Sequence, residues 1–139
     1  MAENDIVIRT ATEEDLKEIL EIDNASAGKH STLEFLLRYD WPHGDLGGYL
    51  KKRIKGKDGV CMVAVVGEEL AGYLSACLKQ PKLWLRVRRT ELERMAIREK
   101  YKHAGVGVAL INAFLAWSKK QGVDRATVTT YVATDDKGE

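Results

Sequence analysis

The chain has 139 residues, 45% hydrophobic and 31% charged, a balance typical of one folded globular domain rather than of a disordered chain. No apolar run approaches the roughly 20 residues that span a bilayer, and the first five residues lack the basic and apolar regions of a signal peptide. We therefore expect a cytoplasmic protein with no membrane partner. Cys61 and Cys77 fall in apolar runs, which predicts two small buried side chains rather than a disulfide or a metal site.

The N-terminal half predicts one strand followed by three helices. A short strand over Ile6–Arg9 precedes Thr12, whose hydroxyl and following acidic residues are typical of a helix start. Apolar residues at helical spacing continue this helix and predict a second one across about Ser31–Tyr39. A third helix follows Asp45 and ends at Gly56.

The C-terminal half predicts a hairpin, a further strand, a long helix and a last strand. The helix extends from Gly105 to Gly122, and its apolar stripe comprises Val106, Leu110, Ala113, Phe114 and Trp117. The strands cover Val60–Val66, Leu70–Leu78, Leu83–Ile97 with its clearest part at Thr90–Ile97, and Arg125–Val132. The order β-α-α-α-β-β-β-α-β predicts a mixed α/β (α+β) domain.

A basic segment lies within this nearly neutral chain. The net charge is +1, yet Lys79–Lys102 carries nine Lys and Arg residues against three Glu, so this segment is +6 and the remainder −5. Such a segment can bind an anion or can be a solvated edge, and charge alone does not decide. Nucleic acid is not the expected partner, because aromatic side chains do not interleave with the basic ones.

A strand, a glycine-bearing turn and a helix start follow one another between Glu91 and the long helix. A helix N-terminus presents unpaired backbone N–H groups, and Gly105 and Gly107 allow the backbone to approach a bulky anion closely. Together with the charge of Lys102, this order predicts a phosphate-binding turn. A Gly-x-Gly pair alone is common near helix starts, so the order of the elements carries the prediction.

The segment Lys102-His103-Ala104-Gly105-Val106-Gly107 resembles the acetyl-CoA-binding motif Arg/Gln-x-x-Gly-x-Gly/Ala of the GNAT superfamily of N-acetyltransferases, with Lys102 at its first position. Leu92–Ile97 resembles the central strand of that family, and Val108–Gln121 its following helix. The resemblance implies a mixed, mostly antiparallel sheet flanked by helices. It also implies acetyl-CoA as co-substrate and transfer to a primary amine of a small molecule or peptide. The cofactor-binding residues it implies are Met95, Ala96, Ile97, Lys102, His103, Ala104, Gly105, Val106 and Gly107.

Glu91 and Glu93 match positions where the family places a carboxylate that accepts the proton of the amine through water. Under regular alternation both share one strand face with Met95 and Ile97. The alternative is a pair of solvated glutamates that balance nearby arginines, with positioning and ordered water carrying the reaction. Tyr49 can line an amine pocket or simply pack. No metal is expected, because the histidines lack ligand spacing to each other and to the cysteines.

Members of the family continue past the last strand with a helix and further strands, which often supply a tyrosine as general acid. The resemblance therefore implies a single domain over residues 1–139 that lacks these elements. Tyr131 can replace the missing acid or can simply be an outward-facing tyrosine of the last strand. An open edge on the last strand predicts one of two things: the chain pairs with a second copy as a homodimer, or it is a shortened form of a longer protein. The alternative function is a non-catalytic CoA-binding or interaction module, and the sequence does not select the acceptor amine.

Overall fold

A single five-stranded sheet forms the centre of the computed structural model, which describes residues 5–27, 46–81 and 86–128. The strands lie in chain order, antiparallel except for the parallel pair β4–β5. This confirms the mixed, mostly antiparallel sheet flanked by helices. The strands are β1 (Ile6–Thr10), β2 (Gly59–Val66), β3 (Glu69–Lys79), β4 (Arg89–Ile97) and β5 (Arg125–Val128).

Three α-helices are described: α1 (Leu16–Ala27), α2 (Leu46–Lys55) and α3 (Val106–Lys120). Short 3-10 turns precede α1 and α3, at Glu13–Asp15 and Glu99–Tyr101. None of these three helices is long and apolar enough to cross a membrane. The helix predicted across about residues 31–39 lies outside the described residues, as do residues 83–85 and 129–132 of two predicted strands.

Each face of the sheet has its own apolar core. Helices α1 and α2 cover one face, hereafter the α1/α2 face, where Ile19 and Leu50 pack against strand residues such as Tyr73. Helix α3 covers the opposite face, hereafter the α3 face, where Leu110 and Phe114 pack against strand residues. The predicted apolar stripe of α3 is therefore confirmed, with Trp117 partly buried at its end.

A β-bulge interrupts β4 at Glu93. Opposite β3, Ser75 pairs with Arg94 and Ala76 pairs with Leu92, so Glu93 is the extra residue. A bulge reverses the alternation of side chains beyond it, which places Glu93 and Arg94, although consecutive, both on the α1/α2 face.

The bulge overturns the expected common face of four β4 residues. Glu91 and Glu93 lie on the α1/α2 face, whereas Met95 and Ile97 pack into the core of the α3 face. The prediction that Glu91 and Glu93 share a face with Met95 and Ile97 is therefore wrong, because it assumed an uninterrupted strand.

Both cysteines are buried and unpaired, as predicted. Burial raises the pKa of Cys61 and of Cys77 to about 12, so neither thiol forms the reactive thiolate near neutral pH.

Candidate functional site

The turn between β4 and α3 has an unusual backbone conformation. His103 has φ +67° and Gly105 has φ +91°, both in the left-handed region. Glycine adopts that region without strain, whereas histidine does so at a cost. The first bond of α3 runs from the N–H of Ala109 to the carbonyl of Gly105, 3.0 Å apart. The N–H groups of residues 106–108 therefore have no hydrogen-bond acceptor within the helix itself and are available to an anion.

Arg98 ties the start of this turn to the neighbouring strand and helix. Its backbone N–H donates to the carbonyl of Ala71 over 2.8 Å, and its Nε donates to the carbonyl of Leu70 over 2.6 Å. Its third contact, from Nη2 to Glu18 Oε2 of α1, measures 2.8 Å. The turn is thus fixed to β3 and α1 rather than held only by its own chain.

Glu69 makes a second set of contacts to the same turn. Its Oε1 accepts a hydrogen bond from the Tyr101 hydroxyl over 2.7 Å and lies 2.8 Å from Lys100 Nζ. The hydrogen bonds from Lys100 and Tyr101 lower the pKa of Glu69. Neither Glu69 nor Arg98 was among the predicted site residues. The only sequence signal was their charge beside an apolar strand end.

A cavity of about 290 Å³ lies between this turn and the last turns of α1. Charged side chains line one side, basic at Arg98, Lys100 and Lys102 and acidic at Glu69 and Glu99. Ile22 and small residues of α1 line the other side. Lys102 Nζ lies 3.4 Å from Glu99 Oε1, a partly exposed contact that an entering phosphate can replace.

The predicted cofactor-binding residues divide into two groups. Those at positions 102–107 come together in one turn, where His103 and Ala104 are exposed and the side chain of Val106 is buried, so only its backbone can meet a ligand. A Cβ on Gly107 would stand 3.2 Å from Ile97 Cδ1, so this glycine allows α3 to pack closely on β4. In β4, Ala96 belongs to the α1/α2 core and its neighbours Met95 and Ile97 to the α3 core.

The two glutamates proposed as bases differ in how they are paired. Both oxygens of Glu93 are held by Arg53 of α2, at 2.8 and 3.0 Å, and its side chain is 4% exposed. Burial raises the pKa of Glu93, but hydrogen bonds from Arg53 and Tyr49 outweigh it and the pKa is lowered. Among the described residues, Glu91 accepts one hydrogen bond, from Arg89 Nη1 at 2.9 Å, and its side chain is 19% exposed.

A second buried ion pair lies beside the first. Arg94 donates from Nε and Nη2 to the two oxygens of Asp23 in α1, each over 2.8 Å. The hydroxyl of buried Tyr73 donates to the same Asp23 carboxylate over 2.6 Å. Sequence reasoning missed these contacts. The signal was present in Arg94 itself, since a charged side chain in a strand covered on both faces requires a partner.

Within residues 5–27, 46–81 and 86–128, no group of three His, Cys, Asp or Glu side chains is arranged to hold a metal ion. The histidines at 30 and 43, and Tyr131, lie outside the described residues. The described site presents backbone N–H groups, cationic side chains and paired carboxylates.

The sequence profile of the Acetyltransferase (GNAT) family matches residues 14–137, most of the chain. This protein therefore belongs to the GNAT acetyltransferase family. No curated protein has a significant sequence match to it.

Solved structures share its fold at low sequence identity. A tetramutant of the BH1408 protein from Bacillus halodurans superposes with a TM-score of 0.75 at 20% identity, over 90% of this chain and 83% of that one. The aminoglycoside N-acetyltransferase AAC(6')-Iy, solved in complex with CoA, gives 0.70 at 14% identity, over 91% and 77%. The ribosomal-protein-alanine N-acetyltransferase of Brucella melitensis biovar Abortus 2308 gives 0.64 at 13% identity, over 94% and 84%.

Proposed function

We propose that this protein is an N-acetyltransferase that transfers the acetyl group of acetyl-CoA to a primary amine of a small molecule or peptide. The observation that carries the proposal is the turn before α3, with left-handed residues at 103 and 105 and backbone N–H groups at 106–108 that precede the first hydrogen bond of the helix. Membership of the GNAT family supports the reaction class, and the CoA complex of the similarly folded AAC(6')-Iy supports the donor.

The turn fits a pyrophosphate on steric and electrostatic grounds. A Cβ at Gly105 would find its nearest atom, Ile6 Cδ1, at 3.9 Å, so the space beside this backbone is open. The dipole of the 15-residue helix α3 favours an anion at its start. We propose that the backbone of residues 103–108 and the ammonium of Lys102 bind the phosphates, and that the main chain of Met95–Ile97 holds the pantetheine arm.

The reaction requires an unprotonated amine, because an ammonium group has no lone pair. Its nitrogen attacks the carbonyl carbon of the thioester, a C–N bond forms and the C–S bond breaks, giving an amide and the thiol of CoA. We propose that Glu91 accepts the amine proton through a water molecule, and that a proton from solvent reaches the departing sulfur. The choice of Glu91 over Glu93 rests on pairing, since Arg53 engages both oxygens of Glu93.

The first test uses calorimetry to measure the affinity of acetyl-CoA for the unmodified chain and for the Gly105→Glu variant. A glutamate at this position fills the space beside the turn and repels phosphate, so binding should fall by at least about a hundredfold. The matched control is Gly67→Glu, because Gly67 also has a positive φ, +65°, but lies in the β2–β3 turn. Equal affinity of Gly105→Glu and the unmodified chain would remove the turn from the binding site.

The second test is release of free thiol from acetyl-CoA in the presence of kanamycin, spermidine or the tripeptide Ala-Ala-Ala. We expect at least one of these amines to accelerate thiol release, with mass spectrometry recording an acetylated product. Binding of acetyl-CoA with no amine-dependent release would favour the non-catalytic CoA-binding module instead.

A further inference from the structure

The β4 bulge connects both helices of the α1/α2 face to two consecutive residues. Glu93 is bound by Arg53 of α2, and Arg94 is bound to Asp23 of α1, each through two hydrogen bonds of 2.8–3.0 Å. Without the bulge, adjacent strand residues would point to opposite faces and could not anchor both helices. The positions of α1 and α2 relative to β4 are therefore set at one place in the strand.

Arg53 is well restrained at this junction. In addition to Glu93, its Nε and Nη2 lie 3.1 and 2.8 Å from the Tyr49 hydroxyl, and its guanidinium carbon lies 4.5 Å from the centre of the Tyr49 ring. A planar guanidinium can meet a carboxylate with two parallel bonds while stacking on a ring, whereas a lysine ammonium cannot. The contact thus fixes orientation as well as charge.

We propose that Arg53 is a positioning residue for the amine acceptor: by holding the Glu93 bulge, it sets the distance between α2 and the Glu91 side of β4. The inference rests on the proposed acetyl transfer. Arg53 itself need not contact the acetyl group or the amine. The phosphate-binding turn has separate anchors, Arg98 and Glu69, so loss of Arg53 should leave donor binding intact.

The test compares Arg53→Met and Arg53→Lys with the unmodified chain, using kanamycin, spermidine and Ala-Ala-Ala as acceptors. For Arg53→Met we expect KM for the accepted amine to rise about tenfold, because a displacement of one ångström at a site has large kinetic effects. The dissociation constant of acetyl-CoA should change less than twofold. Arg53→Lys keeps the positive charge beside Glu93, so this variant should fold, but its ammonium cannot make the two parallel bonds of the guanidinium. Its KM should lie between those of the unmodified chain and Arg53→Met.

The matched control is Arg9→Met. Arg9 also holds a carboxylate with two bonds, to Asp15 at 2.8 and 3.0 Å, but at the end of β1 and away from the bulge. Its KM should remain within twofold of the unmodified value. If both Arg53 variants keep the original KM, or if KM and the acetyl-CoA dissociation constant rise in parallel, the positioning role is wrong.

The experiments distinguish a failure of the Arg53 proposal from a failure of the proposed acetyl transfer. An unmodified chain that binds acetyl-CoA but acetylates none of the three amines contradicts the acetyl transfer and, with it, a positioning role in that transfer. An active unmodified chain with unchanged Arg53 variants contradicts only the role of Arg53.

Discussion

Two glutamates two positions apart in β4 are suited to different tasks because their arginine partners differ. Glu93 is almost fully buried and both of its oxygens are occupied, so it serves as a fixed anion. Glu91 is more exposed and keeps one oxygen without a partner among the described residues. A carboxylate that must accept a proton and release it to water needs such access, which favours Glu91 as the base.

Glu91→Gln should therefore change the pH dependence of the reaction. With the tripeptide amine, whose pKa is about 8, we expect kcat/KM to fall about tenfold at pH 7 and by much less at pH 9.5, where the amine is already neutral. Rates of thiol release between pH 6.5 and 9.5 measure this. Glu93→Gln is the comparison. If the pH dependence of kcat/KM changes in Glu93→Gln but not in Glu91→Gln, then Glu93 is the base and Glu91 is not.

The contacts of Glu69 to Lys100 and Tyr101 should contribute to donor binding, because they hold the turn in place before the ligand arrives. The carboxylate is partly exposed, so we expect a modest effect: about a fivefold weaker acetyl-CoA affinity in Glu69→Ala. The neighbouring Glu68→Ala is the control, since Glu68 is exposed in the hairpin turn. Calorimetry that gives equal affinities for the two variants would show that the turn is ordered without Glu69.

At the scale of the elements, a buried hydroxyl pair joins α3 to β4. Thr90 Oγ1 and Ser118 Oγ lie 2.6 Å apart, and both side chains are buried. Ser118→Ala leaves the Thr90 hydroxyl with one partner fewer in an apolar layer and should lower the free energy of unfolding by about 1–2 kcal/mol. The double variant Thr90→Val with Ser118→Ala should cost less than the sum of the single variants, because both polar groups are removed.

Urea unfolding of the two single variants and the double variant measures this coupling. Since the pair lies far along α3 from the turn proposed to bind phosphate, the acetyl-CoA dissociation constant should stay within twofold in all three. Strictly additive free energies would show that Thr90 and Ser118 do not depend on each other.

The elements that sequence alone predicts are those with local causes. The apolar stripe from Val106 to Trp117 and the two glycines of the turn depend on residues close in the chain, and the helix and the turn lie where they were expected. The bulge does not have a local cause of this kind. It brings Glu93 to Arg53 and Arg94 to Asp23, contacts 40 and 71 residues apart in the chain, and no periodic pattern records them.

The contrast between local and long-range causes explains why the sequence predicts the turn before α3 but not the ion pairs of the α1/α2 face. The turn proposed to bind phosphate is a continuous segment, so the sequence predicts its residues together. The α1/α2 face is assembled from three elements, and the regular alternation expected for β4 fails at Glu93, which together with Arg94 anchors the two helices. Charged residues in a strand that is covered on both faces are the signal that such an anchor exists, although they do not identify its partner.

For the whole molecule, the buried Glu93–Arg53 pair should make stability depend on acid pH. The pKa of Glu93 is lowered in the folded state from an ordinary value of 4.5. The unfolded chain therefore binds this proton more tightly than the folded chain does. The contribution of the pair is complete above pH 4.5 and is lost as the pH falls below 4.5 through the folded value.

Glu93→Gln should accordingly lower the free energy of unfolding by about 3 kcal/mol at pH 7, where Arg53 is left without its anion, and by much less at pH 3. Urea unfolding at pH 7, 5 and 3 measures how the free energy of unfolding of each variant depends on pH. Asp15→Asn is the matched control, because Asp15 also has a lowered pKa and a paired arginine, but Arg9 is 44% exposed and the pair should contribute about 1 kcal/mol or less. If Glu93→Gln loses the same free energy at pH 3 as at pH 7, the ionised pair is not what stabilises the α1/α2 face, and packing of the side chains must account for the loss.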